Sequence, residues 1–165
     1  MSHHQHEVEH AKLALLTVSD TRTEADDLSG ATAKEMLEGA GHAVAVYTIL
    51  PDEPDRVRGW AEDCLAREDC EALIVNGGTG ISSRDRTYEA LSAVLDRRLD
   101  GFGELFRTLS FEEIGARAML SRAVAGIARG KPLFALPGST SAVKFGLERL
   151  ILPVLGHLLW ELRKH

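Results

Sequence analysis

The sequence predicts an α/β fold of three layers, a largely parallel sheet with helices on both faces. Three observations carry this expectation. Apolar runs of strand length alternate with amphipathic helical stretches along the chain, the order of βαβ units. Ala72-Leu73-Ile74-Val75 is apolar throughout, as a strand buried on both faces is. It ends abruptly at Asn76-Gly77-Gly78-Thr79-Gly80, and helical spacing resumes from Thr87 to Leu95. Strand, glycine loop and helix in that order aim backbone N–H groups and a helix N-terminus at whatever lies above the strand, and an anion such as phosphate suits them.

The 165 residues read as one domain, long enough to bury a core. Residues 1–11 are polar and His-rich and are expected to be a disordered tail that binds a metal at most loosely; residues 12–165 form the single domain. A net charge of −6 argues against a nucleic-acid surface, which needs an excess of Lys and Arg. A local nest of N–H groups with a divalent metal still suits a small anionic ligand. Neither a signal peptide nor a bilayer-spanning apolar run is evident, so no membrane role is expected. Cys64 and Cys70 fit neither a zinc spacing nor a disulfide framework, and Cys64 lies on the apolar face of a helix; a reduced, cytoplasmic protein is expected.

In order, Lys12 to Ser19 is a buried strand, followed by a polar loop through Asp27. Ser29-Gly30 opens a helix with Ala33, Met36, Leu37 and Ala40 inward, stopped by Gly41. His42 to Leu50 is a second strand in which Val44, Val46 and Thr48 alternate with Ala43, Ala45 and Tyr47. After the Pro51-Asp52-Glu53-Pro54 turn, Val57, Trp60, Ala61, Cys64 and Leu65 form a helical stripe. The run Asp100-Gly101-Phe102-Gly103-Glu104 breaks the pattern before a helix from Leu105 to Leu120. Val124–Ile127 and Pro132–Leu136 are strands about an Arg129-Gly130 turn, either paired or flanking the sheet. Pro137-Gly138-Ser139-Thr140 caps a last helix with Val143, Leu147, Leu150, Ile151 and Val154 inward, kinked or restarted by Pro153.

Ligands of parallel α/β sheets bind beyond the carboxyl ends of the strands. Ser19-Asp20, Pro51-Asp52, Gly77 to Gly80 and Pro137-Gly138-Ser139 end the four strands and should meet at one mouth. Asp52 and Asp85 beside a phosphate cradle suggest Mg²⁺, which is held by one or two carboxylates plus substrate phosphates. The bland alternatives are an Asx turn at Asp20, a turn or N-cap at Asp52, an N-cap at Ser139, a helix cap at Glu104, a solvated charge at Lys144, and a capping box formed by Ser82 and Asp85. Lys144 is nonetheless near enough to the mouth to meet phosphate. His42 and His157 follow no strand, which disfavours histidine catalysis.

Asn76 to Gly80 with Arg84-Asp85 and Thr87 resembles the glycine-loop signature of the MoaB/Mog family of molybdenum cofactor biosynthesis proteins. Asp100 to Glu104, Leu109 to Gly115, Ser121 to Gly126 and Leu136 to Thr140 resemble its MoaB branch, and the likeness runs from Lys12 to the C-terminus. The resemblance implies trimers or hexamers, with other proteins of the same biosynthesis as further partners. It also implies molybdopterin adenylyltransferase activity: Mg-ATP and molybdopterin give adenylyl-molybdopterin and pyrophosphate. Asp52 and Asp85 match the family's catalytic aspartates, which also serve the metal. Gly77, Gly78, Thr79 and Gly80 would hold phosphates, and Ser19, Asp20, Asp27, Ser29, Gly30, Pro137, Gly138 and Ser139 match further binding segments. Asn76 departs from the usual Thr. Some MoaB-branch members lack the aspartate found here at Asp52, so its presence favours an active enzyme over a pterin carrier or an oligomeric scaffold.

Overall fold

Four strands, β1 (Lys12–Val18), β2 (Ala43–Leu50), β3 (Ala72–Asn76) and β6 (Lys131–Leu136), run parallel in a computed structural model that describes residues 6–164. They belong to a six-stranded sheet of order β2-β1-β3-β6-β5-β4, completed by β5 (Val124–Ala128), which runs antiparallel to β6, and β4 (Arg97–Arg98), antiparallel in turn to β5. The fold is the three-layer α/β arrangement that the sequence predicts. β1 shows why: every residue after Lys12 is buried, with Leu13 and Leu15 facing one core and Ala14, Leu16 and Val18 the other. α1 (Leu28–Gly39), α4 (Asp100–Ile114), α5 (Thr140–Gly146) and α6 (Leu152–Arg163) cover the first core. α2 (Pro54–Leu65) and α3 (Thr87–Ser92) cover the second, which takes in the buried thiol of Cys64. Among the described residues no helix is long and apolar enough to cross a membrane.

The structure revises several local expectations. The alternation in β2 does not persist, because the β1–β2 register shifts between Leu13 and Ala14, where Val44 gives way to Val46. One extra residue flips the strand's facing, so Val44 packs into the first core and Val46 into the second. β5 and β6 form a hairpin, and β6 is also a sheet strand, so both alternatives hold together. Positive φ at Arg129 (49°) and Gly130 (76°) gives the turn the twist hairpins favour. α4 begins at Asp100, five residues early, with Gly101 and Gly103 inside its first turns. A side chain at position 103 would meet the Ala123 carbonyl oxygen at 2.8 Å, so the glycine is there for close packing. Gly115, at φ +66° and ψ −146°, ends this helix, and a separate 3-10 segment runs from it through Leu120.

The last helix is continuous but changes winding. Val143, Leu147, Ile151, Leu155 and Leu159 are buried at a constant spacing of four, which an α-helix of 3.6 residues per turn cannot keep on one face. A π-helical turn over Leu147–Ile151 under-winds it just before Pro153, and α6 restarts with that proline in its first turn. Leu150 is half-buried and Val154 exposed, so the stripe is narrower than expected. Residues 1–5 of the expected tail lie outside the described residues. Beyond them, Val8 N–H donates to the Gly156 carbonyl at 3.0 Å and the His6 ring meets Trp160 edge-on at 4.5 Å.

Candidate active site

The four strand ends gather at one edge. Gly77 N–H donates to the Leu136 carbonyl at 2.9 Å, and a Cβ on Gly138 would stand 3.1 Å from Gly77 Cα, so the Pro137-Gly138 turn lies against the glycine loop. Asp52 N–H donates to Asp20 Oδ1 at 3.0 Å, joining the first and second strand ends. Gly77 has φ +102° and would drive a Cβ to 2.2 Å from the Val18 carbonyl oxygen; Gly78 has φ +68°. Only glycine accepts both conditions without strain.

Asp52 is 6% exposed, and both of its carboxylate oxygens accept the Arg86 N–H at 3.2 Å. Burial raises its pKa above the ordinary carboxylate value, and the charges of Asp85 and Asp20 push the same way against the Arg86 N–H and Arg84. A buried, crowded carboxylate of this kind is stabilised by a positive charge beside it or by taking up a proton. Thr87 Oγ1 and Asp52 Oδ2 flank the same point, 2.1 and 2.3 Å from where a Cβ on Gly78 would be. The Thr87 and Thr79 hydroxyls are buried without a hydrogen-bond partner among the described residues. Such groups are costly unless a ligand or water completes them. The donor set of carboxylates and hydroxyls fits a hard cation such as Mg²⁺ shared with substrate phosphates. No cluster of three His, Cys, Asp or Glu side chains occurs among the described residues, so the protein has no self-sufficient metal cage there.

Asp85 sits in a turn of its own. Its Oδ2 accepts the Ser82 N–H at 2.9 Å while Ser82 Oγ accepts from Arg84 N–H at 3.3 Å. α3 starts only at Thr87 with Arg86 as N-cap, so Ser82 and Asp85 do not form the helix's capping box. This turn, Arg86, Glu89 and Arg122 line a cavity of about 320 Å³ beside the glycine loop.

Other expected residues are engaged with the protein. Asp20 pairs with Arg84 through two hydrogen bonds of 3.0 and 3.1 Å, which hold its carboxyl below the usual range. Ser19 Oγ accepts from the Thr21 and Arg22 N–H groups in a local turn. Asp27 is the N-cap of α1, taking the Gly30 N–H at 3.0 Å and the Tyr47 hydroxyl. Burial alone would raise its pKa; hydrogen bonds from Thr17, Tyr47, Gly30 and Ser29 outweigh it and hold Asp27 ionised. Ser29 Oγ donates to Asn76 Oδ1 at 2.9 Å, and Asn76 Nδ2 donates to Thr17 Oγ1 at 3.0 Å. Arg22 closes this network, reaching Ser29 Oγ at 2.6 Å and the Gly138 carbonyl at 3.1 Å. Asp27, Ser29, Gly30 and Asn76 are therefore a buried polar floor to the mouth.

Ser139 caps α5, accepting the Ala142 N–H at 3.2 Å. Lys144 is exposed a turn further on. Glu104 stands exposed within α4, not at its start. It lines a separate cavity of about 180 Å³ with Arg98, Asp100 and Arg107, whose walls contain no glycine-loop residue.

Sequence reasoning missed Arg122. Its N–H donates to the Thr79 carbonyl at 2.8 Å and its Nε to the Gly80 carbonyl at 2.8 Å. Thr87 N–H takes the Gly78 carbonyl at 3.0 Å. With three successive loop carbonyls held this way, planar trans peptides turn the N–H groups of Thr79, Gly80 and Ile81 to the opposite side. Two signals stood near it: its place in the Ser121 to Gly126 run, which carried part of the family resemblance but no assigned role, and its position just before a strand that runs against its neighbours, whose start therefore lies at the ligand edge.

This sheet, with its ligand edge, defines a three-layer α/β protein of the molybdenum cofactor biosynthesis fold. Residues 14–157 match the family model described as a probable molybdopterin binding domain. The chain belongs to this family, that of the MoaB and Mog proteins. The molybdenum cofactor biosynthesis protein B of Halalkalibacterium halodurans is 49% identical, over 99% of both chains. A crystal structure of a molybdenum cofactor biosynthesis protein B superposes with a TM-score of 0.92 at 44% identity, covering 94% of this chain and 98% of the other. The tungsten cofactor synthesizing protein MoaB from Pyrococcus furiosus gives 0.86 at 37% identity, covering 95% and 99%.

Proposed function

We propose that the protein acts in molybdenum cofactor biosynthesis as a molybdopterin adenylyltransferase. A terminal phosphate oxygen of molybdopterin attacks the α-phosphorus of ATP; the new P–O bond forms as the bond to the bridging oxygen breaks, and pyrophosphate leaves with that electron pair. The observation that carries this reading is the buried Asp52 carboxylate facing Gly78 beside two unpartnered hydroxyls, Thr79 and Thr87. It is a site shaped for phosphate oxygens and a cation rather than for a general base. The N–H groups of Thr79, Gly80 and Ile81 orient the phosphates, and the two hydroxyls donate to them. Asp52 and Asp85 would hold Mg²⁺, which when bound offsets charge on the phosphoryl oxygens. The cavity at Ser82, Arg86 and Arg122 offers room for the remainder of a nucleotide.

The reading extends to a cytoplasmic homo-oligomer, a trimer or hexamer. Phe111, Ile114, Met119 and Leu120 are 45–71% exposed along the end of α4 and the segment after it, a patch suited to a second copy. The deciding experiment supplies Mg-ATP and molybdopterin to the purified protein and measures pyrophosphate and adenylyl-molybdopterin, with Asp52→Asn alongside. Wild-type turnover, reduced about 10²–10³-fold in the variant, is expected. Pterin binding with no adenylylation would replace this reading with that of a carrier.

A further inference from the structure

We propose that Arg122 is a positioning residue that holds the Asp52 carboxylate through the single peptide group joining Asp85 to Arg86. Arg122 Nη2 donates to the Asp85 carbonyl at 2.6 Å. The N–H at the other end of that same peptide, Arg86 N–H, donates to both carboxylate oxygens of Asp52. A trans peptide is rigid and its C=O and N–H point opposite ways, so the group is a strut with a guanidinium on one side and the aspartate on the other. Charge on the oxygen polarises the peptide and strengthens donation from its nitrogen.

Arg122 is itself braced. Its Nη1 pairs with Glu89 and its guanidinium lies 5.2 Å from the Tyr88 ring centre. Its Nε and backbone N–H hold two glycine-loop carbonyls, so one residue sets the loop and the aspartate in register with each other. Lysine cannot do this: it offers one compact charge where Arg122 spends three donors in fixed directions.

The inference rests on the adenylyltransferase reading only where turnover is measured, so two readouts are taken on Arg122→Lys and Arg122→Ala. In amide NMR spectra, the Arg86 and Ile81 signals are expected to move while those of β1 and β6 stay, with the Arg86 proton shifting upfield as its bond to Asp52 weakens. In the adenylylation assay, kcat falls about 10–100-fold with KM for ATP changed less than threefold, and Arg122→Lys recovers only part of the loss. An unmoved Arg86 amide, or a kcat within twofold of wild type, overturns the proposal. Should Arg122→Ala unfold, Arg122→Lys carries the same two readouts. Were the wild type to form no adenylylated product, the functional reading would fall while the Arg86 amide still decided this one.

Discussion

Asp52 Oδ2 lies 2.3 Å from the point where a β-carbon on Gly78 would sit, inside any contact distance real atoms adopt. The loop and the aspartate thus leave no room for a methyl group between them. Gly78→Ala is expected to cost about 2–4 kcal/mol, from left-handed backbone strain together with overpacking, and to abolish turnover. Gly39 is the control, since a methyl group added there would have no atom within 4 Å; Gly39→Ala should leave the unfolding midpoint unchanged or raised. Thermal unfolding of the two variants decides it.

Asp85→Asn should lower turnover about 10²–10³-fold and leave the melting temperature within a degree or two of wild type. The side chain accepts one N–H from Ser82, and an amide oxygen can still do so. A large loss of stability, or wild-type kcat, would count against a role at the reacting phosphates.

Asp27 makes an acid-side prediction. Its folded-state pKa is depressed, so its contribution to stability is present above the ordinary aspartate value of about 3.9 and is lost as pH falls through the lower folded value. Asp27→Ala should destabilise the protein by roughly 2–4 kcal/mol at neutral pH, through loss of the α1 cap and of partners for Tyr47 and Ser29. Below about pH 4 the variant's stability should fall less steeply than that of wild type. Urea titrations at pH 7 and pH 3.5 test both statements.

If the protein self-associates as proposed, Phe111→Asp with Met119→Asp should make it a monomer at micromolar concentration without unfolding it, because both side chains are more than half exposed. Sedimentation velocity reads the outcome, and a wild-type protein that already sediments as a monomer would sink the oligomer proposal.

The strands and the glycine loop were legible because burial on both faces demands unbroken apolar runs, as in Ala72 to Val75, and because positive φ at Gly77 and Gly78 demands glycine. The meeting of Asp20, Asp52, Gly77 and Gly138 followed from parallel topology alone. Features that depend on contacts between distant segments were not legible. Gly101 and Gly103 look like helix breakers until the Ala123 carbonyl is seen against position 103. β4 is two arginines long and has no periodicity to read. Asp27 and Ser29 read as ligand contacts, yet their partners Tyr47 and Asn76 come from other strands. Arg122 stayed hidden because its importance lies in which carbonyls it meets.

The Arg129-Gly130 turn begins β6, whose far end at Leu136 meets the glycine loop, so it projects from the opposite rim of the sheet. Both residues are exposed, and the turn offers a natural point of attachment. A fluorophore or a tether to a sensor surface fixed there would leave the glycine-loop rim facing open solution, so that small solutes would still reach it freely in the immobilised protein.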